Sequence, residues 1–425
     1  MNLAGWLAHI ERLHPQTIAL GLDRVRRVLE RLALPAFCPI VVVGGTNGKG
    51  STCAMLEAIL GAAGYRTGCY TSPHLVRYNE RVRIAGRAVG DDVLVDGFAA
   101  VEAVRGGEPL TYFEFGTLAA WVAFARARID ALVLEVGLGG RLDAVNAFEP
   151  EVAVLTSVDL DHREYLGDTR EQVGWEKAHI FRAGRPAIVG DPNPPASVVE
   201  HARSIGAGLL VIGREFGYAA EAGQWRYFGP GGARGGLAYP ALRGAAQLGN
   251  AACAIAALDA LHARLPVSAQ DIRNGLAVVE LPGRFQVLPG RPAVVLDVAH
   301  NPQAAGVLAE NLAAMPPGRR TLAVVGMLRD KDLAGVLARL RGRVQGWYAA
   351  TLDNPRGATA AALATAIVAA DANAVVREFD SPRAAYAAAL EEAGGDDRIV
   401  VFGSFFTVAD VMAVRAATTR GPDGG

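Results

Sequence analysis

The sequence predicts an α/β protein with an N-terminal domain built on a parallel sheet with helices on both faces, followed by a smaller C-terminal α/β domain. Apolar, strand-like runs alternate with helical patterns in both halves of the chain, which is typical of parallel sheets covered by helices. The chain has 425 residues. That is more than one core usually serves, since domains commonly hold roughly 100–200 residues. Hydrophobic residues make up 51% of the chain, which is enough to bury two such sheets.

The first half of the chain carries the longer alternating series. Its strand candidates are residues 40–43, 131–135, 152–156 and 187–189, and its helical stretches include residues 51–63 and 114–127. Between residues 213 and 242 the pattern breaks into Gly, Tyr, Trp and Pro with short alternating pieces, which predicts a β excursion or a long loop. Helical periodicity returns over residues 245–263.

A second alternating series defines the C-terminal domain. Its strand candidates are residues 293–297, 321–325, 346–350, 374–379 and 398–402. We place the boundary near residues 287–291, which gives a larger first domain over residues 1–287 and a smaller domain over residues 288–417. Residues 418–425 are small and polar, so we expect a disordered tail.

Charge and cysteine content exclude several classes of protein. The net charge of −1 argues against a general binder of nucleic acid or membrane surfaces. Cys38, Cys53, Cys69 and Cys253 are scattered with no C-x-x-C pair, so neither a disulfide framework nor a zinc site is predicted. The N-terminus lacks a basic start, and no run reaches the ~18 apolar residues of a membrane span. We therefore expect an unprocessed cytoplasmic protein.

The segment from Val41 to Ser51 is the most informative part of the chain. An apolar strand runs into a glycine-rich turn that carries Lys49 and the hydroxyl of Ser51, and a helical pattern follows. Such glycines let backbone N–H groups reach the phosphates of a nucleoside triphosphate, while the lysine reaches the β and γ phosphates and the serine binds Mg²⁺. The spacing is unusual because Gly50 separates the lysine from the serine. A plain glycine turn is the alternative, yet it needs neither side chain.

Polar groups also follow other predicted strands. Glu135 closes one buried strand immediately before a glycine turn, which is where ligand sites in such sheets lie, so it is a candidate metal ligand. Residues 159–162 close the next strand with two aspartates and His162. A lone histidine is more often a surface or core residue, but its place at a strand end favours a ligand. Residues 297–302 repeat the arrangement in the second domain, where Asn301-Pro302 forms a good helix entry.

Seven short motifs occur in order along the chain. They are Gly45-Thr46-Asn47-Gly48-Lys49-Gly50-Ser51, Thr71-Ser72-Pro73-His74-Leu75, Leu110-Thr111-Tyr112-Phe113-Glu114, Glu135-Val136-Gly137-Leu138-Gly139-Gly140-Arg141-Leu142-Asp143, Glu176-Lys177-Ala178, Leu281-Pro282-Gly283-Arg284-Phe285 and Asp297-Val298-Ala299-His300-Asn301-Pro302. Together they resemble the folylpolyglutamate synthases, especially the bifunctional dihydrofolate synthase type. The resemblance runs from about Trp6 to Met412.

The resemblance implies a reaction. This family belongs to the ATP-dependent amide ligases that include the peptidoglycan Mur ligases, with a Rossmann-like C-terminal domain. ATP converts a carboxylate into an acyl phosphate, which the amino group of L-glutamate then attacks. The implied cofactors are ATP and Mg²⁺, and the implied substrates are dihydropteroate, folates and L-glutamate. We expect a monomer that binds neither nucleic acid nor membrane.

By resemblance, the phosphates and metals are held in the first domain. Lys49 and the loop residues Thr46, Asn47, Gly48 and Gly50 would hold the phosphates. Ser51 would bind the first Mg²⁺, and Ser72, Glu135 and His162 the second.

The resemblance also assigns a modified lysine and further ATP contacts. Lys177 matches a lysine that relatives carry as a carbamate, which supplies anionic oxygens to a metal. His179 follows where the family usually has glycine. Arg284 and Asp297 match contacts to ATP, Asn250 matches an adenine-side contact, and His300 joins Lys49, Lys177 and His162 in the catalytic set.

The pterin-bearing substrate is expected against three segments. They comprise Ile18, Ala19 and Leu20, then Thr111, Tyr112, Phe113 and Glu114, and finally Leu142, Asp143 and Ala144. Phe113 offers a flat apolar face for the pterin ring.

Three alternatives stay open at this point. A P-loop GTPase switch would need a guanine-reading N-K-x-D segment, and residues 329–332 do not form one. A peptidoglycan Mur ligase would carry a UDP-sugar module before its nucleotide loop, but Lys49 lies too near the N-terminus. A folylpolyglutamate synthase without dihydrofolate synthase activity would share almost every residue discussed.

Overall fold

The structure is a computed structural model that describes residues 1–16, 18–316 and 318–419. The chain forms two compact units: unit 1 comprises Met1–Ala241 and Gln247–Glu280, and unit 2 comprises Leu242–Ala246 and Leu281–Gly425. Of the tail predicted to be disordered, residues 420–425 lie outside the described residues, and the last helix reaches Thr419. Within the described part of the chain, no helix combines the length and apolar character that a membrane crossing requires.

Unit 1 holds ten α-helices and eleven strands among its described residues. The helices are α1 (Leu3–Glu11), α2 (Asp23–Leu32), α3 (Lys49–Ala62), α4 (Asp91–Arg105), α5 (Tyr112–Ala127), α6 (Arg163–Leu166), α7 (Arg170–Ala178), α8 (Ala196–Ile205), α9 (Ala246–Ala260) and α10 (Ala269–Val278). The strands are β1 (Ile40–Gly44), β2 (Thr67–Tyr70), β3 (Val82–Ile84), β4 (Arg87–Ala88), β5 (Ala131–Glu135), β6 (Val152–Leu155), β7 (Pro186–Val189), β8 (Gly208–Val211), β9 (Gly217–Glu221), β10 (Gln224–Gly229) and β11 (Gly232–Leu237).

The main sheet of unit 1 has eight strands in the order β4-β3-β2-β5-β1-β6-β7-β8. The six strands from β2 to β8 in that order are parallel, and β3 and β4 add an antiparallel edge. The order places β1 between β5 and β6, with Val43 opposite both Glu135 and Val154. The carboxyl ends of β2, β5, β1 and β6 therefore lie side by side, which is where ligands bind in such sheets.

Both faces of this sheet are buried, as the continuous apolar strands predict. In β1, Ile40 and Val42 join the core cluster that contains Phe115 of α5, whereas Val41 and Val43 are buried outside that cluster. Successive side chains of a strand point to opposite faces, so each face has its own apolar cover. The predicted α/β class is confirmed.

The break in pattern over residues 213–242 is a β excursion. Strands β9, β10 and β11 form a separate antiparallel sheet of three strands. Asp259 of α9 accepts hydrogen bonds from the Tyr227 hydroxyl (2.7 Å) and from the Arg234 guanidinium. These bonds attach the small sheet to the helix that carries Asn250.

Unit 2 has a six-stranded sheet in the order β12-β13-β17-β14-β15-β16, in which only β12 is antiparallel to its neighbour. Its strands are β12 (Gln286–Leu288), β13 (Ala293–Leu296), β14 (Thr321–Val325), β15 (Gly346–Ala350), β16 (Val376–Phe379) and β17 (Arg398–Phe402). Its helices are α11 (Pro302–Ala314), α12 (Leu333–Arg339), α13 (Ala360–Ala370), α14 (Pro382–Glu392) and α15 (Phe405–Thr419). β16 starts two residues later than predicted because the Ala374 amide donates to Asp371 O in a turn.

Helix α3, which follows the predicted nucleotide loop, packs against α10, and a glycine makes their close approach possible. A Cβ atom at Gly275 would lie 2.5 Å from Cα and 2.6 Å from N of Ile59. These are main-chain atoms, so no side-chain rotation could relieve the contact.

We therefore expect Gly275→Ala to lower the free energy of unfolding by about 1–3 kcal/mol, the usual cost of overpacking. Gly61→Ala is the matched control, because Gly61 is also helical and its added Cβ would meet nothing within 4 Å. That control should raise stability by up to about 1 kcal/mol, since alanine favours helix. Urea denaturation measures both, and equal stabilities for the two variants would contradict the packing argument.

Candidate active site

The loop after β1 is held by the residues that follow β6. The Thr46 amide donates to Ser157 O (2.8 Å), and the Thr156 hydroxyl donates to Asn47 O (2.7 Å). Gly45 has a φ of +141°, and a Cβ atom there would collide with the Thr156 hydroxyl. The loop conformation is thus set by glycine and by hydroxyl groups from the adjacent strand.

The helix α3 begins directly from this loop. Gly48 is its N-cap residue with a φ of +88°, and a Cβ atom there would lie 2.5 Å from Oδ1 of Asn250. The Lys49 ammonium donates to Gly45 O (3.0 Å) and Thr46 O (3.2 Å), and Ser51 is buried in the first helical turn. The structure therefore brings the predicted phosphate-binding residues together with Asn250 at a helix N-terminus, which favours anions.

A second lysine reaches the same loop. Lys177, near the end of α7, is buried, and its ammonium donates to Gly45 O at 3.1 Å. Burial, with the nearby charge of Lys49 as a smaller cause, lowers the pKa of Lys177 to about 7. A large share of Lys177 is therefore a neutral amine near neutral pH.

The predicted metal ligands lie at the ends of neighbouring strands. Glu135 is 4% exposed at the end of β5, and its Oε2 accepts the amide of Ser72 (3.0 Å) from the segment after β2. His162 follows β6, adopts a φ of +49° and donates its amide to Oδ1 of Asp161 (2.8 Å). Among the described residues, no group of three or more His, Cys, Asp and Glu side chains is clustered to hold a metal.

The glycine turn after β5 packs against the end of α7. A Cβ atom at Gly140 would lie 2.8 Å from Glu176 O and 2.9 Å from Lys177 O. The Arg141 amide donates to Glu176 O (2.9 Å), and its guanidinium pairs with the Glu176 carboxylate (2.9 Å). This turn therefore fixes the helix end that carries Lys177.

The histidine that replaces the usual glycine is accommodated at the helix end. His179 is the C-cap residue of α7, and its Nδ1 lies 2.7 Å from Trp175 O. Its ring stacks on His201 with ring centroids 4.1 Å apart. The substitution thus adds a side chain that packs on α8 and on α7 itself.

The turn ends at Asp143, a buried carboxyl group. Asp143 accepts the amides of Leu138 (2.8 Å) and Val145 (3.0 Å). Burial raises the pKa of Asp143 to about 7, against the opposing effect of these amides. The side chain shapes the turn from inside and can hold a proton near neutral pH.

Phe113 lies at the entrance to α5, beside the glycine turn. Its ring centroid is 5.9 Å from that of Tyr70, and a Cβ atom at Gly137 would lie 2.7 Å from its Cζ. Thr111 caps the helix, with Glu114 completing a capping box: the Thr111 amide donates to Glu114 at 2.7 Å. The aromatic face predicted for a pterin is thus held on a capped helix.

The structure brings the three predicted substrate-binding segments together. The Gly21 amide donates to Leu142 O (3.3 Å), which joins the segment of Ile18, Ala19 and Leu20 to the glycine turn. Arg24 was missed by the sequence reasoning: its guanidinium donates to Ala19 O (2.7 Å) and to Glu114 (2.8 Å). A signal existed: a glutamate that closes a capping box at the start of a largely apolar helix is expected to be buried, and a buried carboxylate needs a cation.

Unit 2 carries its own polar cluster at the end of β13. Asp297 accepts the amides of Phe285 (2.8 Å) and Ala299 (2.7 Å), and burial raises its pKa while Arg284 opposes that shift. The Arg284 guanidinium lies over the Phe405 ring at 4.9 Å. Nδ1 of His300 is 2.8 Å from Val298 O. The structure thus places Arg284, Asp297 and His300 around one strand end.

Comparison with known proteins identifies the class. Residues 43–215 match the Mur ligase middle domain, and residues 283–405 match the glutamate ligase domain of Mur ligases. Both matched ranges contain the strand ends described above. The chain is therefore an enzyme of the Mur ligase class, a carbon–nitrogen ligase.

Individual relatives narrow the class further. The chain is 47% identical over 420 residues to the Escherichia coli dihydrofolate synthase/folylpolyglutamate synthase, covering 99% of this chain and 97% of that protein. It superposes on E. coli FolC solved with DHPP and ADP with a TM-score of 0.94, at 46% identity and 99% coverage of both chains. A bifunctional folylpolyglutamate synthase/dihydrofolate synthase solved with Mn, AMPPNP and L-glutamate gives a TM-score of 0.90 at 46% identity, with 98% of each chain covered. The chain belongs to the dihydrofolate synthase/folylpolyglutamate synthase family.

Proposed function

We propose that this enzyme uses ATP and a divalent metal to join L-glutamate both to dihydropteroate and to folates or their polyglutamates. One observation carries the proposal. The nucleotide loop, two lysines that share Gly45 O, and the buried Glu135 lie on one edge of the sheet, where Phe113 also stands on the first turn of α5. The relatives solved with DHPP and ADP, and with Mn, AMPPNP and L-glutamate, support the same ligands here.

The chemistry explains why such different groups are needed at one place. A carboxylate is a poor acyl donor, because its leaving group would be oxide. Transfer of the γ-phosphoryl group gives an acyl phosphate, and the glutamate amine then displaces phosphate to form the amide. The site must therefore balance phosphate charge and orient three reactants, which is a matter of positioning and electrostatics.

In this proposal, the loop amides and Lys49 bind the phosphates, and Asn250 lies at the adenine side. In unit 2, Arg284 and Asp297 are assigned to ATP contacts, and His300 to the catalytic set. Their hydrogen bonds and ring contacts order these groups before substrate binds.

The predicted metal-binding residues fit Mg²⁺ in their chemistry. The buried carboxylate of Glu135 and the hydroxyls of Ser51 and Ser72 are the hard oxygen donors that Mg²⁺ prefers. His162 adds a nitrogen ligand. A bound ion would neutralise charge as the phosphoryl group moves. Glu135 is buried beside the Ser72 amide, so its carboxylate is oriented in advance.

Lys177 completes the metal set as a carbamate in our proposal. An ammonium at this position would repel a nearby cation, whereas a carbamate would attract it. Carbon dioxide adds only to a neutral amine, and the lowered pKa of about 7 supplies that form. Because the pKa is lowered, the neutral fraction rises as pH increases through 7. Burial beside the loop then shields the carbamate from water.

The two acceptor acids require different positions for the pterin ring. The reactive carboxylate of a folate lies one glutamate farther from the ring than that of dihydropteroate. A single catalytic centre therefore needs two ring positions or a mobile ring pocket. We assign the dihydropteroate position to Phe113, Tyr112, the segment from Ile18 to Leu20, and the turn from Leu142 to Ala144. Folate elongation alone is the second candidate function, because it would use nearly all the same residues.

We further propose that the enzyme acts as a cytoplasmic monomer.

The deciding assay measures ADP formation with ATP, Mg²⁺, L-glutamate and either dihydropteroate or a reduced folate. We expect turnover with both acids, and Lys49→Ala should reduce it by about two orders of magnitude or more, because the lost ammonium faces charge that grows in the transition state. Lys331→Ala, which alters a lysine of unit 2, is the control and should keep its activity.

Folate turnover without dihydropteroate turnover would reduce the function to polyglutamylation. Near-normal ligation by folded Lys49→Ala would contradict the nucleotide assignment.

Carbamylation is tested by nuclear magnetic resonance with carbon-13-labelled bicarbonate, using the chain's three lysines. We expect one carbamate signal that grows as pH rises through about 7, persists in Lys331→Ala and disappears in Lys177→Ala. Lys177→Ala should also lose ligase activity. A signal-free wild type together with a fully active Lys177→Ala variant would rule the carbamate out.

The dihydropteroate position is tested by Phe113→Ala. Loss of ring stacking and burial should cost about 1–3 kcal/mol in the use of dihydropteroate and less in folate elongation. Phe37→Ala is the control: its ring packs on Trp121 at 4.7 Å, so a comparable aromatic contact is lost elsewhere. Equal losses with both acids in Phe113→Ala would refute the selective role of this ring.

A further inference from the structure

Arg24 connects the walls of the proposed dihydropteroate position. It is the second residue of α2, and its guanidinium makes three hydrogen bonds in a fork. One nitrogen donates to Ala19 O (2.7 Å) and to Oε1 of Glu114 (2.8 Å), and Nε donates to Oε2 of Glu114 (3.3 Å). The Glu114 side chain is 5% exposed and that of Arg24 is 21% exposed. The pair is therefore largely removed from solvent. A buried ion pair is screened less than an exposed one.

Glu114 links Arg24 to the first turn of α5. The same Oε2 that faces Arg24 accepts the Thr111 amide at 2.7 Å, which closes the capping box. Phe113 stands between these two residues in the first turn. The position of the aromatic face is therefore coupled to the guanidinium of Arg24.

The segment from Ile18 to Gly21 depends on Arg24 as well. It forms neither helix nor strand, so no ladder of hydrogen bonds holds it. Its Ala19 carbonyl is fixed by Arg24, and its Gly21 amide is fixed by Leu142 O. Loss of Arg24 would remove one of these two anchors while the segment's links along the chain remain.

We infer that Arg24 is a positioning residue that selects for dihydropteroate. It holds the segment from Ile18 to Leu20 and the Phe113 face at a fixed separation. This inference rests on the proposed function. A folate undergoing elongation must place its ring elsewhere, because its reactive carboxylate lies one glutamate farther away. Arg24 therefore favours the binding of dihydropteroate over that of folate.

The test compares Arg24→Lys with Arg27→Lys. Lysine keeps the charge but has no planar fork, so it cannot reach Ala19 O and both oxygens of Glu114 together. Arg27 is the matched control: it lies one turn later on α2 and makes a bidentate pair with Glu108 at 2.7 and 2.9 Å.

For Arg24→Lys, we expect kcat/KM with dihydropteroate to fall about tenfold or more, the scale of one lost charged hydrogen bond, and chiefly through KM. Values for folate elongation and the KM for ATP should stay within about twofold, a change well below that scale. Arg27→Lys should leave kcat/KM unchanged with both acceptor acids. Arg24→Gln, which keeps an amide donor but loses the guanidinium charge, should show the same selectivity if Arg24→Lys folds poorly.

Equal losses with both acids, at an unchanged ratio, would overturn the inference and leave Arg24 with a structural role only. Failure of the proposed function looks different, because wild-type enzyme would then show no dihydropteroate-dependent ADP formation at all. A selective loss in Arg27→Lys would also overturn the inference, because that variant leaves the Ala19 and Glu114 contacts intact.

Discussion

The carbonyl oxygen of Gly45 accepts hydrogen bonds from both Lys49 and Lys177, and the site is organised around this shared acceptor. The two lysines come from α3 and α7, so one backbone atom brings together helices that follow different strands. Thr156 fixes the same loop from the end of β6. Burial, with the nearby charge of Lys49 as a smaller cause, lowers the pKa of Lys177. The loop that we propose to bind phosphate thereby also contacts the amine that we propose to carry a carbamate.

Much of this arrangement could be predicted, because it follows from strand periodicity. The predicted strand over residues 131–135 has the same bounds as β5. Residues at the carboxyl end of such a strand lie at the edge of the sheet where ligands bind, so the position of Glu135 could be predicted. Arg24 could not be found in this way. Its partner Glu114 is 90 residues distant in sequence, and an arginine at the start of an amphipathic helix is normally solvated. The contact of Lys177 with Gly45 spans 132 residues and was likewise invisible to local pattern. Local rules place elements, whereas contacts between distant elements depend on how the sheet is ordered.

The buried polar groups of unit 1 differ in how they are satisfied. Asp143 and Glu135 accept backbone amides, so their orientation is set by the main chain before any substrate arrives. Groups held in this way need little reorganisation during a reaction. Arg24 and Glu114 also bond to the backbone, at Ala19 O and at the Thr111 amide, but their contact with each other depends on two side chains that substitution can separate. The orientation of Glu135 and Asp143 is therefore set by backbone geometry, whereas the contact between α2 and α5 depends on side-chain pairing.

Gly137 and Gly140, two of the three glycines in the turn after β5, differ in what surrounds them, and this bears on how such a sequence can evolve. At Gly137 the obstacle to a larger residue is the ring of Phe113, which a second substitution could trim away. At Gly140 the obstacles are the carbonyl oxygens of Glu176 and Lys177, which every residue type retains. A change at Gly140 thus has no single compensating partner, whereas a change at Gly137 does. Substitution at Gly137, which faces the aromatic ring, can therefore be accommodated, whereas substitution at Gly140, which faces the helix end with Lys177, cannot.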